Sequence, residues 1–396
     1  MKISIVTLAM MKKQQGRFYN AQDIGLGRAL ADMGNEVDVF NFISPEDSKE
    51  DSGAKSSGKT LPDAESVTQL GERLCLHQIQ TKAAGVHSMY KKDFIPQGTQ
   101  GVICFSDNQM NFGHVLKLCR KRRIPCIPYV GVLASNSGSR IKSMLMNLVS
   151  DNMKYYRHMT VLAKTPAVRE NLMNQGACSV VLAPVCLDKT MLNQSYADAD
   201  VNELKKELGR RHGMDFTGGL VLYVGRLQAE KEPVEMIRVF AGIKRIKPDC
   251  RLIMIGRGEL EGEVRAEIKR FKLDKDVALL DRVENSRMWE YYRAADAVVN
   301  LNKHEIFGMS ILEAMYYERK VVAVRAPGPE FIIKDESMGI LCMNADMAAE
   351  AVYKKDTGFD QKSAHQRIED KFLWSATAEI ISGELAKLRH DGEYGR

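Results

Sequence analysis

The sequence of 396 residues is 44% hydrophobic and 27% charged, which is the composition of a soluble globular protein. Its length exceeds what a single hydrophobic core usually serves, so we expect two domains. The net charge of +6 is modest for this size. It would suit a nucleotide diphosphate or an anionic membrane surface, and it does not indicate a nucleic acid partner.

The eight cysteines are scattered singly, with no C-x-x-C pair. Cys104, Cys126 and Cys186 lie in or near apolar runs. That placement is typical of buried, reduced thiols in a cytosolic protein rather than of disulfides or a metal site. The apolar segment 3–11 is too short to span a bilayer and no clean cleavage site follows it, so we interpret it as a buried strand. A cytoplasmic location is therefore expected.

Strand and helix patterns alternate along the chain, as they do in parallel sheets with right-handed crossovers. The polar segment 44–59 is predicted to be a loop. In the first half, the predicted strands are 3–10, 37–43, 102–105, 125–132, 160–163 and 180–184, with clear helices at 20–33 and 112–123. In the second half, the predicted strands are 220–227, 252–256, 277–283, 297–301, 321–325 and 340–342.

This alternation predicts an α/β protein with two parallel-sheet domains. A stretch rich in Asp and Asn, 193–209, marks the crossing between the halves. We place the first domain at 1–190, the interdomain linker at 191–215 and the second domain at 216–371.

The stretch E-I-F-G-M-S-I-L-E, which begins at Glu305, joins a strand-like run to helix-forming residues. Gly308 allows a tight turn there, and Ser310 with Glu313 three residues later predicts a capping box that opens the helix. The free N–H groups of the first helical turn would suit a phosphate. Glu305 and Glu313 can face the same crevice. The alternative is a well-capped helix with two solvated glutamates.

Two cations, Arg226 and Lys231, lie at the carboxyl end of a predicted strand, where open parallel sheets bind ligands. Arg offers a bidentate fork and Lys a point charge, a combination that suits two linked phosphates. The alternative is a pair of surface ion-pair residues, with Glu230 and Glu232 as partners.

Taken together, these motifs resemble retaining family 4 glycosyltransferases of the GT-B fold, within glycosyltransferase group 1. Residues 305–315 read E-x-F-G-x-S-x-x-E-A-M, and residues 222–231 are similar to the family's G-R-L-x-x-E-K segment. The resemblance is dense from about Leu220 to Leu341. Four shorter segments fall in the family's order and spacing, at 252–258, 293–297, 324–328 and 339–341.

The resemblance implies a GT-B architecture, with two Rossmann-like domains facing across a cleft. The first domain would bind the acceptor and the second the nucleotide sugar, and the helix at 372–396 would return to the first domain. The implied reaction is a retaining, metal-independent transfer of a sugar from a nucleotide-diphosphate sugar to a hydroxyl acceptor. It would serve glycan, polysaccharide or glycoconjugate biosynthesis, and no cofactor other than the donor substrate is implied.

The resemblance also assigns roles to residues. Arg226 and Lys231 would stabilise the departing diphosphate, and Glu305 would bind donor hydroxyls near the reacting centre, so these three are the predicted catalytic residues. Glu313 would bind the ribose hydroxyls and the backbone of Val283 the base. The predicted nucleotide-sugar-binding residues are Gly16, Arg226, Lys231, Val283, Glu305, Phe307, Gly308, Met309, Ser310 and Glu313, and no metal ligand is predicted.

The chain departs from the family pattern at two positions. The family's glycine loop often carries two glycines, whereas here Gln15 stands in one place and only Gly16 remains. A strand that ends at Gly131 tends to end in a histidine in the family. No imidazole is available from that position, so no general base is named.

A nicotinamide-dependent oxidoreductase is the alternative from another class. Residues 256–262 give G-x-G-x-x-x-G after a strand, and Asp281 ends the next strand, as in a dinucleotide fingerprint. Against it, the turn follows the second strand of the second half, where glycosyltransferases have a similar turn. Two D-x-D triplets, 198–200 and 274–276, are interpreted as solvated loops rather than metal sites.

Peripheral membrane contact is a further alternative. Segment 140–149 places its apolar residues on one face, and Lys117 and residues 121–123 add basic charge on an earlier helix. Such a surface could lie on an anionic leaflet at the inner face of the membrane, beside a lipid-linked acceptor. An ordinary helix packed on the first domain's sheet explains the pattern equally well.

Overall fold

The computed structural model describes residues 1–12, 21–44, 65–107, 109–131, 151–354 and 358–392. It consists of two compact units. Unit 1 is Met1–Cys186 with Trp374–Arg396, and unit 2 is Leu187–Leu373. Three predicted features lie outside the described residues, namely Gly16, the loop 44–59 beyond its first residue, and the amphipathic segment 140–149.

Unit 1 is built on a sheet whose main path runs β10-β9-β8-β7-β1-β2-β4-β3. Neighbours on this path are parallel except β3 and β4. The short β6 pairs with β5 and with β1. The strands are β1 Lys2–Met11, β2 Glu36–Ile43, β3 Glu65–Gly71, β4 Leu74–Gln80, β5 Ala83–Ala84, β6 His87–Ser88, β7 Gly101–Phe105, β8 Cys126–Val130, β9 Thr160–Ala163 and β10 Ser179–Leu182.

Helices cover the unit 1 sheet, and β7 and β8 are buried throughout, because a parallel sheet covered on both faces has apolar strands. The described helices of this part are α1 Gln22–Asp32, α2 Phe112–Arg122, α3 Met153–Tyr156 and α4 Pro166–Asn174. All eight cysteines are free thiols, as predicted. Burial raises the pKa of the Cys186 thiol to about 12, so it stays protonated.

Four strands between residues 65 and 88 are absent from the sequence prediction. Most of β3 is exposed, so it lacks the apolar pattern that would have revealed it. The strand is held by pairing to β4, which in turn pairs with β2 from Val37 to Ile43. This edge of the sheet is therefore determined by strand pairing rather than by local sequence.

Unit 2 is built on a fully parallel sheet with the order β13-β12-β11-β14-β15-β16. The chain moves outward from β11 in one direction and then continues from β14 in the other. The gap between β11 and β14 is therefore the topological switch point, where open α/β sheets bind ligands. The strands are β11 Leu220–Val224, β12 Arg251–Ile255, β13 Val277–Leu280, β14 Ala297–Asn300, β15 Lys320–Val324 and β16 Ile340–Cys342.

The described helices of unit 2 pack on this sheet around two apolar clusters. They are α5 Val201–His212, α6 Pro233–Ile246, α7 Glu261–Arg270, α8 Met288–Ala294, α9 Met309–Tyr316, α10 Pro327–Ile332, α11 Ala348–Tyr353 and α12 Gln361–Lys371. The last helix, α13 Trp374–His390, belongs to unit 1. A Cβ atom at Gly25 in α1 would collide with the Trp374 indole, so the glycine allows the two helices to pack.

The stretch predicted to be a linker, 191–215, is instead part of unit 2. Its Asp and Asn residues do not indicate an open linker. Asp200 caps α5, its Oδ1 accepting the N–H of Asn202 at 2.7 Å, and Leu208 of that helix is fully buried. The same contact explains the first D-x-D triplet as a helix cap.

The glycine turn that begins at Gly256 brings two loops together. Gly256 has φ +152°, and a Cβ atom there would overlap the carbonyl oxygen of Gly225. The backbones of the two loops are bonded directly, because Leu227 N donates to Arg257 O at 3.1 Å. These glycines therefore serve close packing of the loops after β11 and β12.

We predict that Gly256→Ala lowers the free energy of unfolding by at least about 2 kcal/mol, because the new Cβ would be strained and would overlap backbone. Gly262 in α7 is the matched control, since a Cβ there would meet nothing within 4 Å. Gly262→Ala should be neutral or stabilising by about 0.5–1 kcal/mol. Urea unfolding of both variants measures this, and equal stability of Gly256→Ala and wild type would contradict the packing role.

Candidate functional site

The loops that follow β11 and β14 carry the three residues predicted to be catalytic. Arg226 and Lys231 lie in the loop after β11, and Glu305 lies in the loop after β14. Because β11 and β14 are parallel neighbours, both loops emerge at the switch point of the unit 2 sheet. The tertiary structure thus brings together residues that are more than 70 positions apart.

The loop after β11 is held by a tyrosine beneath it. The hydroxyl of Tyr223, near the end of the strand, donates to the carbonyl oxygen of Lys231 at 3.0 Å. Burial raises the pKa of Tyr223, which keeps this hydroxyl a donor. The exposed Arg226 side chain pairs with Glu230 at 2.6 Å. Because 65% of the Arg226 side chain is exposed, its guanidinium is accessible to a ligand at the edge of the sheet even with this pair formed.

The central contact of the site is an ion pair between Lys231 and Glu305. Lys231 Nζ lies 2.8 Å from Glu305 Oε2, and the side chains are 23% and 13% exposed. The same oxygen accepts from the amides of Asn302 at 3.2 Å and Asn300 at 3.4 Å. Three donors thus fix the Glu305 carboxylate in one place.

Backbone contacts also hold the loop that carries Glu305. Gly328 N donates to the Glu305 carbonyl oxygen at 2.8 Å. A Cβ atom at Gly328, in the first turn of α10, would overlap the backbone of Phe307, so this glycine allows the start of α10 to pack directly on the loop after β14. The Phe307 side chain packs against the unit 2 core, its ring centre 6.2 Å from that of Phe372.

The turn into α9 depends on Gly308, which has φ +102°. The helix begins at Met309, and its first turn is closed by the N–H of Ile311 donating to the Gly308 carbonyl oxygen at 3.0 Å. The N–H groups of Met309 and Ser310 precede the helical hydrogen-bond ladder and point out of its N-terminus. This end of the helix carries partial positive charge.

The predicted capping box is wrong. The residue that caps α9 is Gly308, and no side chain bonds to the cap. Ser310 is already the second helical residue, and Glu313 is the fifth. The left-handed turn at Gly308 starts the helix two residues earlier than a Ser310 cap would, so the Glu313 side chain projects from the helix body instead.

Glu313 is buried, with 3% of its surface exposed. The hydroxyl of Tyr292 in α8 donates a hydrogen bond to Glu313 Oε2. The alternative of two solvated glutamates is therefore wrong for both Glu305 and Glu313, because neither carboxylate faces open solvent and each is held by a named donor.

Val283 follows β13, two strands from β11 at the same edge of the sheet. It is half-buried, and its side chain packs against the core. Four residues that contact the site were not predicted. Asn300 and Asn302 are the polar positions at the end of an apolar strand, a signal visible in the sequence, whereas Tyr223 and Tyr292 read as ordinary core aromatics.

In the described ranges, no three His, Cys, Asp or Glu side chains are grouped so that they could hold a metal ion. The second D-x-D triplet is structural, since Asp276 pairs with Lys244 at 2.8 Å and Arg251 at 3.0 Å.

None of the helices that the structure describes has the length and apolar character needed to cross a membrane.

Comparisons with known proteins give a family profile and several similar proteins. Residues 205–368 match the profile of the family glycosyl transferases group 1. The chain is similar to alpha-D-kanosaminyltransferase of Streptomyces kanamyceticus, with 28% identity over 38% of this chain and 39% of that protein. The chain spans about half the length or less of most curated relatives that it matches.

Solved structures are similar over nearly the whole chain. Sucrose-phosphate synthase from Thermosynechococcus elongatus has a TM-score of 0.70 and 18% identity, over 98% of this chain and 99% of that one. HepE of Anabaena in complex with UDP-glucose has a TM-score of 0.67 and 15% identity, over 97% of this chain and all of that one. The predicted GT-B fold and the resemblance to group 1 are confirmed. No finding supports an oxidoreductase.

We predict that Lys231 and Glu305 are energetically coupled in the free protein. A double-mutant cycle with Lys231→Met and Glu305→Gln should give a coupling free energy of about 1–2 kcal/mol, because the pair is largely desolvated. The control cycle uses Lys303 and Glu232, a neighbouring pair at 3.1 Å whose side chains are 62% and 30% exposed. Its coupling should stay below about 1 kcal/mol. Urea unfolding supplies both values, and a coupling near zero for Lys231 and Glu305 would contradict the prediction.

Proposed function

We propose that this chain, whose residues 205–368 match the glycosyl transferases group 1 family, is a hexosyltransferase that uses a nucleotide-diphosphate sugar. The sugar moves to a hydroxyl of an acceptor, with retention of anomeric configuration and without a metal. The observation that carries the proposal is the Lys231–Glu305 pair at the switch point of unit 2, beside the N-terminus of α9.

The donor's diphosphate needs positive charge, and three groups at this edge supply it. Arg226 offers an accessible guanidinium and Lys231 an ammonium, while the first turn of α9 offers N–H groups. Negative charge grows on the diphosphate as it departs. Cations held in advance stabilise that charge more in the transition state than in the ground state, which is the condition for catalysis.

Glu305 is proposed to hold the sugar. Its carboxylate is oriented by the amides of Asn300 and Asn302, and it can accept hydrogen bonds from donor hydroxyls. Lys231 would then contact Glu305 on one side and the diphosphate on the other. The ion pair seen in the free protein thus becomes a bridge between the sugar and the leaving group.

The proposed step is a front-face displacement. The bond from the anomeric carbon to the diphosphate oxygen breaks, and a bond to the acceptor oxygen forms on the same face. The acceptor's proton passes to the departing diphosphate oxygen, so no protein base is required. This is consistent with Gly131, which leaves no side chain at the position where the family tends to have a histidine.

One experiment tests the function directly. Thermal-shift screening of nucleotides and nucleotide sugars, starting with UDP-glucose, should identify a donor that stabilises the fold by mass action. The donor is then tested for sugar transfer in the presence of excess EDTA. Transfer should persist. Absence of stabilisation by every nucleotide sugar would overturn the function, whereas activity that EDTA abolishes and manganese restores would overturn only metal independence.

We predict that Arg226→Met and Lys231→Met each lower kcat by about 100-fold or more, because each cation acts on charge that develops in the transition state. The melting temperature of Arg226→Met should change little, whereas Lys231→Met also loses its pairing with Glu305 and should melt lower by an amount that matches the coupling. Arg265→Met is the matched control, since Arg265 is an exposed arginine paired at i,i+4 spacing in the body of α7. Steady-state kinetics measure the effect. Unchanged kcat in both site variants would mean that Arg226 and Lys231 are ordinary surface charges.

We predict that Glu313→Gln binds the nucleoside diphosphate roughly 10- to 150-fold more weakly, because a neutral amide loses charge-assisted bonds to the ribose hydroxyls. The amide oxygen can still accept from Tyr292, so melting should stay close to wild type. Tyr292→Phe is the counterpart, which keeps the carboxylate and removes its buried donor, so stability should fall more than affinity. Calorimetric titration beside melting curves measures both, and unaltered affinity of a folded Glu313→Gln would refute the ribose contact.

A further inference from the structure

A cation to which the family resemblance assigns no role lies at the ligand-binding edge of the unit 1 sheet, beside Gly131. The switch point of this sheet lies between β1 and β7, which are neighbours in the order β9-β8-β7-β1-β2. Lys164 is the first residue after β9, and its backbone N–H donates to Val130 O at 3.0 Å, which continues the parallel pairing of β8 and β9. Lys164 therefore lies at the carboxyl edge of the sheet.

The side chain of Lys164 runs along that edge towards the switch point. Its Nζ lies 5.1 Å from the ring centre of Tyr129 in β8 and 5.0 Å from that of Phe105 in β7. The two rings pack edge to face with centres 4.9 Å apart. An ammonium over aromatic faces is attracted by their quadrupoles, so this pair of rings orients the charge.

Across the described ranges, no carboxylate lies within salt-bridge distance of Lys164 Nζ, and Lys164 is half-buried. The carboxylate in the same register row, Asp107, accepts the backbone N–H of Gly131 with its Oδ1 at 2.6 Å. A partly desolvated ammonium whose observed partners are ring faces retains its attraction for an external anion.

Gly131 creates the space that Lys164 occupies. A Cβ atom at position 131 would lie 2.6 Å from Lys164 Cδ, so any larger residue would displace the lysine side chain. This is the position at which the sequence offers no imidazole. In the structure, the side chain of Lys164, which follows the neighbouring strand β9, occupies the space beside Gly131.

We propose that Lys164 binds a phosphate group carried by the acceptor, and thereby selects phosphorylated acceptors. That the phosphate belongs to an acceptor rests on the proposed function, whereas the phosphate site itself does not. Neutral sugar hydroxyls are matched by carboxylates and amides, so a cation without a carboxylate partner at this edge favours an oxyanion. Lysine provides a compact charge with three donors, which suits a terminal phosphate.

The test uses inorganic phosphate as the probe, titrated at constant ionic strength with the melting temperature as the readout. The proteins compared are the wild type, Lys164→Met and Lys164→Arg. Lys154→Met is the matched control, because Lys154 Nζ also lies 5.1 Å from an aromatic ring, that of Tyr155, whereas its side chain is exposed to solvent. Lys231→Met distinguishes phosphate bound at Lys164 from phosphate bound at the proposed donor site in unit 2.

We expect Lys164→Met to weaken phosphate binding by about tenfold or more, with Lys154→Met at the wild-type value. Lys164→Arg keeps the charge and should bind within a few-fold of wild type. Unchanged binding in Lys164→Met, or an equal loss in Lys154→Met, would overturn the proposal. A loss confined to Lys231→Met would also overturn it. Because no donor is present, this result is independent of whether sugar transfer is observed.

A second comparison identifies the source of the phosphate. Glycerol 3-phosphate in solution represents a soluble acceptor, and phosphatidylcholine vesicles containing phosphatidic acid represent a lipid-linked one. Dependence of either binding on Lys164 supports the proposal and names the source. Binding of both probes that is equal in wild type and Lys164→Met would overturn it.

Discussion

The ion pair between Lys231 and Glu305 is the contact on which the site of unit 2 depends. It joins loops from two strands that are neighbours in the sheet but distant in sequence. Opposite charges this close in a partly desolvated place attract strongly, and the amides of Asn300 and Asn302 leave the carboxylate no other orientation. A ligand with its own negative charge therefore meets a lysine that is already positioned.

Close backbone packing makes that arrangement rigid. Gly256 and Gly328 each stand where a side chain would overlap the backbone of a neighbouring loop. The loop after β12 thus lies directly against the loop after β11, and the start of α10 lies directly against the loop after β14. Glycine loses more conformational entropy on folding than any other residue, and its presence at these contacts is explained by the close approach it permits. The G-x-G pattern that suggests a dinucleotide site has this structural origin.

The two units place cations at corresponding edges by different means. In unit 2 the loop after the central strand carries its own arginine and lysine. In unit 1, Lys164 reaches along the edge over two aromatic rings, through the space left by Gly131. Charge is set at the carboxyl edge in both sheets, because there the side chains of successive strands converge and the backbone N–H groups of helix N-termini are directed outward.

The sequence by itself determined the α/β class, most strands of both sheets and the resemblance to the group 1 glycosyl transferases, because apolar periodicity and short contiguous motifs are local properties. It also named Lys231 and Glu305 as candidates, each within its own motif. Tertiary structure decided the rest. The exposed strand β3 exists through pairing, and the stretch 191–215 folds onto unit 2 by burying Leu208. Glu313 meets Tyr292 rather than a helix cap because the left-handed turn at Gly308 starts α9 early. Each depends on contacts between distant residues, which no local pattern contains.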